Sequence, residues 1–165
     1  MNVRRKRRPT PPGEFVDPLS KYDPPEYADK LERSLSEDAV TAIKHTPMAT
    51  LPPDVSVEEA MREMVRLDVA YMLIAEGQNL LGVFSERDVL NKIAGQFEKV
   101  KKLPVRAFMS PDPVVVYETE SPAKALNVMA VGGFRHVPIV NIDDKLVGVL
   151  GPRRVTSYLQ QYFTQ

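Results

Sequence analysis

The chain has 165 residues, 43% of them hydrophobic, with 22 basic and 22 acidic side chains and no net charge. That suits one domain, or a compact pair of small repeats, with a real core. No apolar run is long enough to span a bilayer, and the lack of cysteine excludes disulfides and thiolate metal sites.

The neutral total hides an asymmetry. Five positive charges stand together at Arg4, Arg5, Lys6, Arg7 and Arg8, so the remainder carries 17 basic against 22 acidic residues, a net of −5. Such a remainder has no bulk nucleic-acid signature. Pro9, Pro11, Pro12, Pro18, Pro24 and Pro25 follow the basic run. Each removes a hydrogen-bond donor and disfavours helix at the residue before it. Residues 1–25 therefore read as a disordered basic tail. The run could touch nucleic acid, an acidic partner or an anionic membrane. A solvated end is favoured, because basic runs match many targets without specificity. The N-terminus has no apolar core of a secretory signal, so the expected compartment is the cytoplasm. His45 and His136 lack ligand spacing, and no metal site is expected.

From Glu26 to about Lys44 the apolar positions Tyr27, Leu31, Leu35, Ala39, Val40 and Ile43 follow a helical period. A break is expected near Ser36, which would cap a second short helix at Glu37 and Asp38. Residues 26–37 form a helical lead-in that packs on the core or mediates a dimer.

The rest is one unit written twice. Pro47 and Pro113 stand 66 residues apart, as do Gly82 and Gly148, while Ser56 and Ser121 stand 65 apart. Each copy reads strand, helix, strand, turn, strand, helix. In the first, Ser56 caps a helix with Glu59 three residues on, a capping box. Met61, Met64, Val65 and Leu67 give its apolar face, the methionines as core filling. Tyr71–Ala75 and Leu80–Phe84 are strands around a turn at Gly77. The second strand feeds Ser85-Glu86-Arg87-Asp88 through a turn. A helix start there leaves unpaired N–H groups that suit an anion. Asp88 could accept two hydrogen bonds from a vicinal diol such as a ribose, although Ser-x-x-Asp taken alone is more often a weak capping box.

In the second copy Ser121 caps, and Pro122 takes the first helical position. Ala125, Leu126, Val128 and Met129 face inward. Val137–Val140 and Leu146–Leu150 are the strands, joined across Asn141–Asp144. Two copies are too few for a solenoid. The fold class is α/β (α+β): two βαββα repeats, 38–100 and 101–162, packed face to face with pseudo-twofold symmetry because neither buries its sheet alone. The clefts between them are where small ligands bind.

Residues from about 38 to 160 resemble a tandem pair of cystathionine β-synthase (CBS) domains, a Bateman module. Gly82-Val83-Phe84-Ser85-Glu86-Arg87-Asp88 fits the family's glycine, apolar, any, Ser/Thr, two any, Asp signature. Phe134-Arg135-His136-Val137-Pro138-Ile139-Val140 fits its basic-pair, apolar-proline strand. Phe108–Val116 fits its opening strand. The resemblance implies a regulatory module that requires no cofactor and senses AMP, ADP, ATP or S-adenosylmethionine between the repeats. It also implies a homodimer.

Carried over residue by residue, the resemblance gives Asp88 to the ribose hydroxyls and Ser85 to the ribose or a phosphate. Val115 would line the adenine slot. Arg135, His136 and Arg153 would face phosphates, and arginine can fork onto their oxygens. The second repeat departs from the pattern: Gly151 stands where the hydroxyl would be and Arg154 replaces the carboxylate. Arginine has no acceptor for a ribose hydroxyl. Ala70 and Tyr71 stand where the basic pair would be in the first repeat. One working site and one degenerate site is the expectation.

Two function classes follow. One is a stand-alone regulatory module that acts on an unidentified protein partner; the other is a dimerisation or interaction module without ligand. No nucleophile, base and orienting group come together in the sequence, so an enzyme is not expected.

Overall fold

The computed structural model describes residue 23 and residues 25–163. The basic run Arg4–Arg8 and the prolines up to Pro24 lie outside the described residues.

Helix α1 spans Lys30–Glu37, and the Asp29 carboxylate caps it by accepting from the Glu32 N–H at 2.8 Å. It is shorter than the period over 26–44 suggests. Ser36 lies inside α1 and caps nothing; the chain turns extended at Asp38 and makes only a 3₁₀ turn, Val40–Ala42. The cause is a tertiary bond. Val40 N–H donates to Glu120 O, whereas a continued α-helix would direct it to Ser36 O. That detour seats Val40 and Ile43, both fully buried, in a core with Val116, Ala125, Val137, Ile139, Leu150 and Tyr158. Leu31 and Leu35 of the lead-in pack against the same cluster, so the lead-in and the opening residues of the first repeat both pack into the second.

The first repeat is β1 (Thr50–Leu51), α2 (Val57–Leu67), β2 (Tyr71–Glu76), β3 (Asn79–Ser85) and α3 (Glu86–Asp88). Helix α3 runs on through a π-helical turn, Val89–Ile93. Ser56 caps α2 by accepting from the Glu59 N–H at 3.2 Å. Helix α2 buries Val57, Ala60 and Met64, positions i, i+3 and i+7 of one face. Val65 and Leu67 do not belong to that face: Val65 is 82% exposed and Leu67 39%.

A short helix α4 (Phe97–Val100) and a 3₁₀ turn lead to β4 (Ser110–Pro111). Strand β4 pairs antiparallel with β3, Gly82 facing Pro111 and Val83 facing Ser110. The second repeat is β5 (Val116–Tyr117), α5 (Pro122–Gly132), β6 (Val137–Val140), β7 (Leu146–Leu150) and α6 (Pro152–Phe163). Both inner strands of this repeat fall where the sequence places them, as short buried apolar runs. Ser121 caps α5 by accepting from the Lys124 N–H at 3.3 Å, and Pro122 opens the helix.

The two sheets run β1-β2-β3-β4 and β5-β6-β7. They meet through Leu73 and Ala75 of β2 and Leu146 and Val149 of β7, which form a shared buried cluster. The main-chain bonds that tie the halves together include Leu146 N–H to Gln78 O at 2.8 Å and Val149 N–H to His45 O at 3.0 Å. The approach is close at the paired glycines. A Cβ on Gly82 would lie 2.8 Å from Ser110 O, and one on Gly148 would lie 2.8 Å from the Cβ of His45.

Candidate functional site

Strand β3 delivers Ser85 to the start of α3, and one turn on stands Asp88, whose side chain is only 6% exposed. Its carboxylate accepts four hydrogen bonds. Oδ2 takes the Ser85 N–H at 2.9 Å and the Ser85 hydroxyl at 2.8 Å; Oδ1 takes the Lys92 ammonium at 2.7 Å and the Ser110 hydroxyl at 3.0 Å. That fills the acceptor capacity of a carboxylate. Burial pushes the Asp88 carboxyl up, but the bonds from Lys92, Ser85 and Ser110 outweigh it and hold it below the ordinary carboxylate range. Lys92 also donates to Phe108 O at 2.8 Å and Met109 O at 3.3 Å, carbonyls of the segment between the repeats. The signature in the sequence points to Ser85 and Asp88 but not to Lys92 or Ser110.

Tyr71, at the start of β2, stacks on His136, just before β6, with ring centroids 3.8 Å apart. The two occupy equivalent places, 65 residues apart. Gly151 leaves room for the imidazole: a Cβ there would lie 2.9 Å from His136 Cδ2. Around this stack opens a cavity of about 1280 Å³ between the repeats. From the first repeat Tyr71, Glu86, Val89 and Leu90 line it; from the second come Arg135, His136, Arg153 and Arg154.

The second-repeat wall is cationic. Arg135 and Arg153 are exposed and pair with no carboxylate among the described residues. Arg153 lies in the first turn of α6, a twelve-residue helix whose dipole adds to the positive field. Burial, with Arg135 and Arg154 beside it, lowers the His136 imidazole to about 4, so the ring is neutral at pH 7. Glu86 and Asp68 are the acidic residues on the lining. The wall suits an anion that arrives with two or more charges.

Arg154 stands 66 residues after Asp88 and does something different. It donates to Val149 O at 2.7 Å and to Pro47 O, so the guanidinium ties α6 to the segment ahead of β1. The second cleft therefore holds a cation where the first holds a carboxylate.

Of the six residues singled out in the sequence, the structure brings Arg135, His136 and Arg153 together on the cavity wall. Ser85 and Asp88 lie in the hydrogen-bonded cluster on either side of Glu86 in the chain, and that cluster does not line the cavity. Val115 is half-buried one residue ahead of β5, away from the cavity lining.

The family model of the CBS domain matches this chain twice, over residues 40–95 and 105–161. The chain belongs to the CBS domain family. Its two CBS repeats resemble solved CBS pairs. CBSX2 from Arabidopsis thaliana, solved in complex with AMP, is 27% identical with a TM-score of 0.65, over 74% of this chain and 96% of that one. A CBS domain protein from Pyrobaculum aerophilum complexed with AMP is 24% identical with a TM-score of 0.65, over 77% and 99%; at that identity it supports the fold. Among curated relatives, an uncharacterised 17.7 kDa protein of Acidianus ambivalens is 29% identical over 76% of this chain and 75% of its own length. The CBS domain-containing protein CBSCBSPB5 of Arabidopsis thaliana is 31% identical over 66% of this chain, which spans only 20% of that protein.

Among the described residues, no group of three or more His, Cys, Asp or Glu could hold a metal ion, and no helix is long and apolar enough to cross a membrane. The chemistry this CBS pair offers is recognition: a buried carboxylate with hydroxyls beside it, and a cationic wall with an uncharged imidazole.

Proposed function

We propose that this CBS pair is a regulatory, non-catalytic module that binds one adenine nucleotide, or S-adenosylmethionine, between its repeats and passes its occupancy to a protein partner. The observation that carries the reading is the inter-repeat cavity, where Arg135, His136 and Arg153 face the chain segment that holds Ser85 and Asp88. In this reading Arg135 and Arg153 on the cavity wall take phosphate oxygens with charge-assisted bonds, and Asp88 and Ser85, which do not line the cavity in the ligand-free protein, take the ribose once their cluster opens toward it. His136 offers a neutral ring edge; Val115, expected at the base from the family resemblance, stands away from the cavity lining. The AMP complex of CBSX2, a relative of 27% identity, supports the choice of ligand class.

The test is a thermal-shift screen against AMP, ADP, ATP, S-adenosylmethionine and NAD, followed by titration calorimetry. A ligand that binds only the native state raises the melting temperature. One adenine ligand per chain is expected; two equal sites, or none for any adenosine compound, would count against the reading.

A second reading, a dimerisation module, is favoured by one observation. Val65 and Leu90, 82% and 72% exposed, stand on the cavity lining on the helical side, and apolar side chains left in water mark contact surfaces. Both readings include a homodimer. Sedimentation at tens of micromolar (about the range of weak interfaces) distinguishes them. A dimer that forms without ligand while the screen stays silent supports the second; a monomer sinks the dimer in both.

A further inference from the structure

We propose that Lys92 sets how tightly the Asp88 site takes a ribose-bearing ligand, because its ammonium group occupies the carboxylate in the ligand-free protein and must leave before a vicinal diol can enter. The proposal rests on the reading above that Asp88 receives the ribose.

The argument starts from the count of acceptors. A carboxylate offers about four lone-pair sites, and in this chain all four are taken. Three of the donors belong to serine groups. The Ser85 N–H and hydroxyl cap a helix, and Ser110 sits on β4, paired to β3. The Ser85 N–H is fixed by the backbone at the helix start, and the two hydroxyls are neutral donors that can turn aside without moving it. Lys92 is different: it reaches Asp88 from one turn along, and its side chain is 40% exposed. It sits in the π-helical turn Val89–Ile93, on a stem with four rotatable carbons. Ser110 is exposed as well, but its hydroxyl is short and neutral; of the four donors Lys92 is the charged one, carried on a long flexible stem.

Its other contacts fit the same role. The ammonium also bridges to Phe108 O and Met109 O. One cation thus spans the first repeat and the segment that opens the second. The second cleft makes the contrast. There Arg154 also rests on main-chain carbonyls, Val149 O and Pro47 O, but no carboxylate stands at that position to receive a diol in its place. The cation of the first cleft is a competitor for a binding group; that of the second is part of the fold.

If Lys92 competes with the ligand, removing its charge must tighten binding. Three donors remain on Asp88 in Lys92→Met, enough to keep the carboxylate satisfied and ionised until ligand arrives. Calorimetric titrations of wild type, Lys92→Met and Lys92→Gln with adenosine and with 2′,3′-dideoxyadenosine test this. Adenosine carries no phosphate, so attraction between Lys92 and a phosphate does not enter. Lys92→Met is expected to bind adenosine at least about tenfold more tightly than wild type, a gain of about 1.4 kcal/mol. Lys92→Gln, which keeps one neutral donor, should show a smaller gain, and it carries the test if the methionine variant does not fold. The dideoxynucleoside, which has no diol, should show no gain. Equal or weaker adenosine binding by the variants overturns the competition and leaves the proposed function standing, as does an equal gain for both nucleosides. Failure of all three proteins to bind adenosine, AMP, ADP, ATP or S-adenosylmethionine overturns the proposed function, and the role of Lys92 with it.

Discussion

Replacing Asp88 with alanine should destabilise the fold measurably, beyond any effect on ligand. From the sequence alone Asp88 is a capping residue, with a contribution of about 1 kcal/mol. The structure gives it four donors and a side chain that is 6% exposed. Its removal leaves the Ser85 N–H without its acceptor and the Lys92 ammonium without a counter-ion. A hydrogen bond to a charged group contributes about 1.5–3 kcal/mol. Lys92 is 40% exposed, so water screens much of its share. A total of about 2–3 kcal/mol follows, which for a chain of this size is a fall in melting temperature of about 5–10 °C. Circular dichroism melts at neutral pH measure it. The pH dependence supplies a control. The folded-state carboxyl is held below its ordinary 3.8, so the native state binds fewer protons than the unfolded chain through that range. Its stabilisation is then full above 3.8 and is lost as pH falls through the folded value. The gap between wild type and Asp88→Asn should stay constant from neutral pH down to about 5 and close below 3.8. A melting temperature within about 1 °C of wild type for Asp88→Ala at neutral pH would refute the reasoning from the cluster.

Arg154→Ala should lower stability by about 1–3 kcal/mol, since Val149 O and Pro47 O lose their charged donor; a denaturant titration reads this, and the position cannot be treated as neutral. Gly82→Ala should cost about 1–3 kcal/mol as overpacking, because the new Cβ would stand 2.8 Å from Ser110 O across β3 and β4; the same titration checks it. His136, lowered to about 4 from 6.5, binds fewer protons folded than unfolded between those values. Stability is therefore full above about 6.5 and falls as pH drops toward 4, by about 1–2 kcal/mol once screening is allowed for. His136→Gln should remove that part of the acid loss, as melts from pH 7 to pH 4 would show.

What the sequence revealed and what it hid divide along one physical line. Features decided by neighbours in the chain were legible. The Ser56 and Ser121 hydroxyls cap helices by accepting from the N–H groups three residues on, and the inner strands of the second repeat are short apolar runs on either side of a turn at Asn141–Asp144. The repeat was legible as well, because the glycines 66 apart are required where the chain crosses itself. Features decided by a distant segment were not. The end of α1 depends on Glu120 O, some 80 residues away. Val65 lies at helical spacing from buried residues yet faces water, since periodicity marks an apolar stripe without giving its width. Lys92 stayed hidden because its meaning comes from the carbonyls of Phe108 and Met109, which only the path between repeats brings within reach. The six site residues were legible as types of chemistry. That three gather on the cavity wall while Asp88 is already satisfied by its own chain was not.

The crossing of the halves has a further consequence. Val40 and Ile43, at the start of the first repeat, complete the core of the second, and Ser110–Pro111, near the start of the second, completes the sheet of the first. Each half is thus finished by a piece that belongs, in chain order, to the other's side of the boundary. A cut between the repeats would leave two fragments, each missing a part supplied by the other: the first its fourth strand, the second the Val40 and Ile43 side chains of its core. Such a chain has no half that can melt first and leave the other whole, because loosening either withdraws a piece of its neighbour. The arrangement resembles two clasped hands more than two beads on a string, and whatever strains one half is felt in the other by construction.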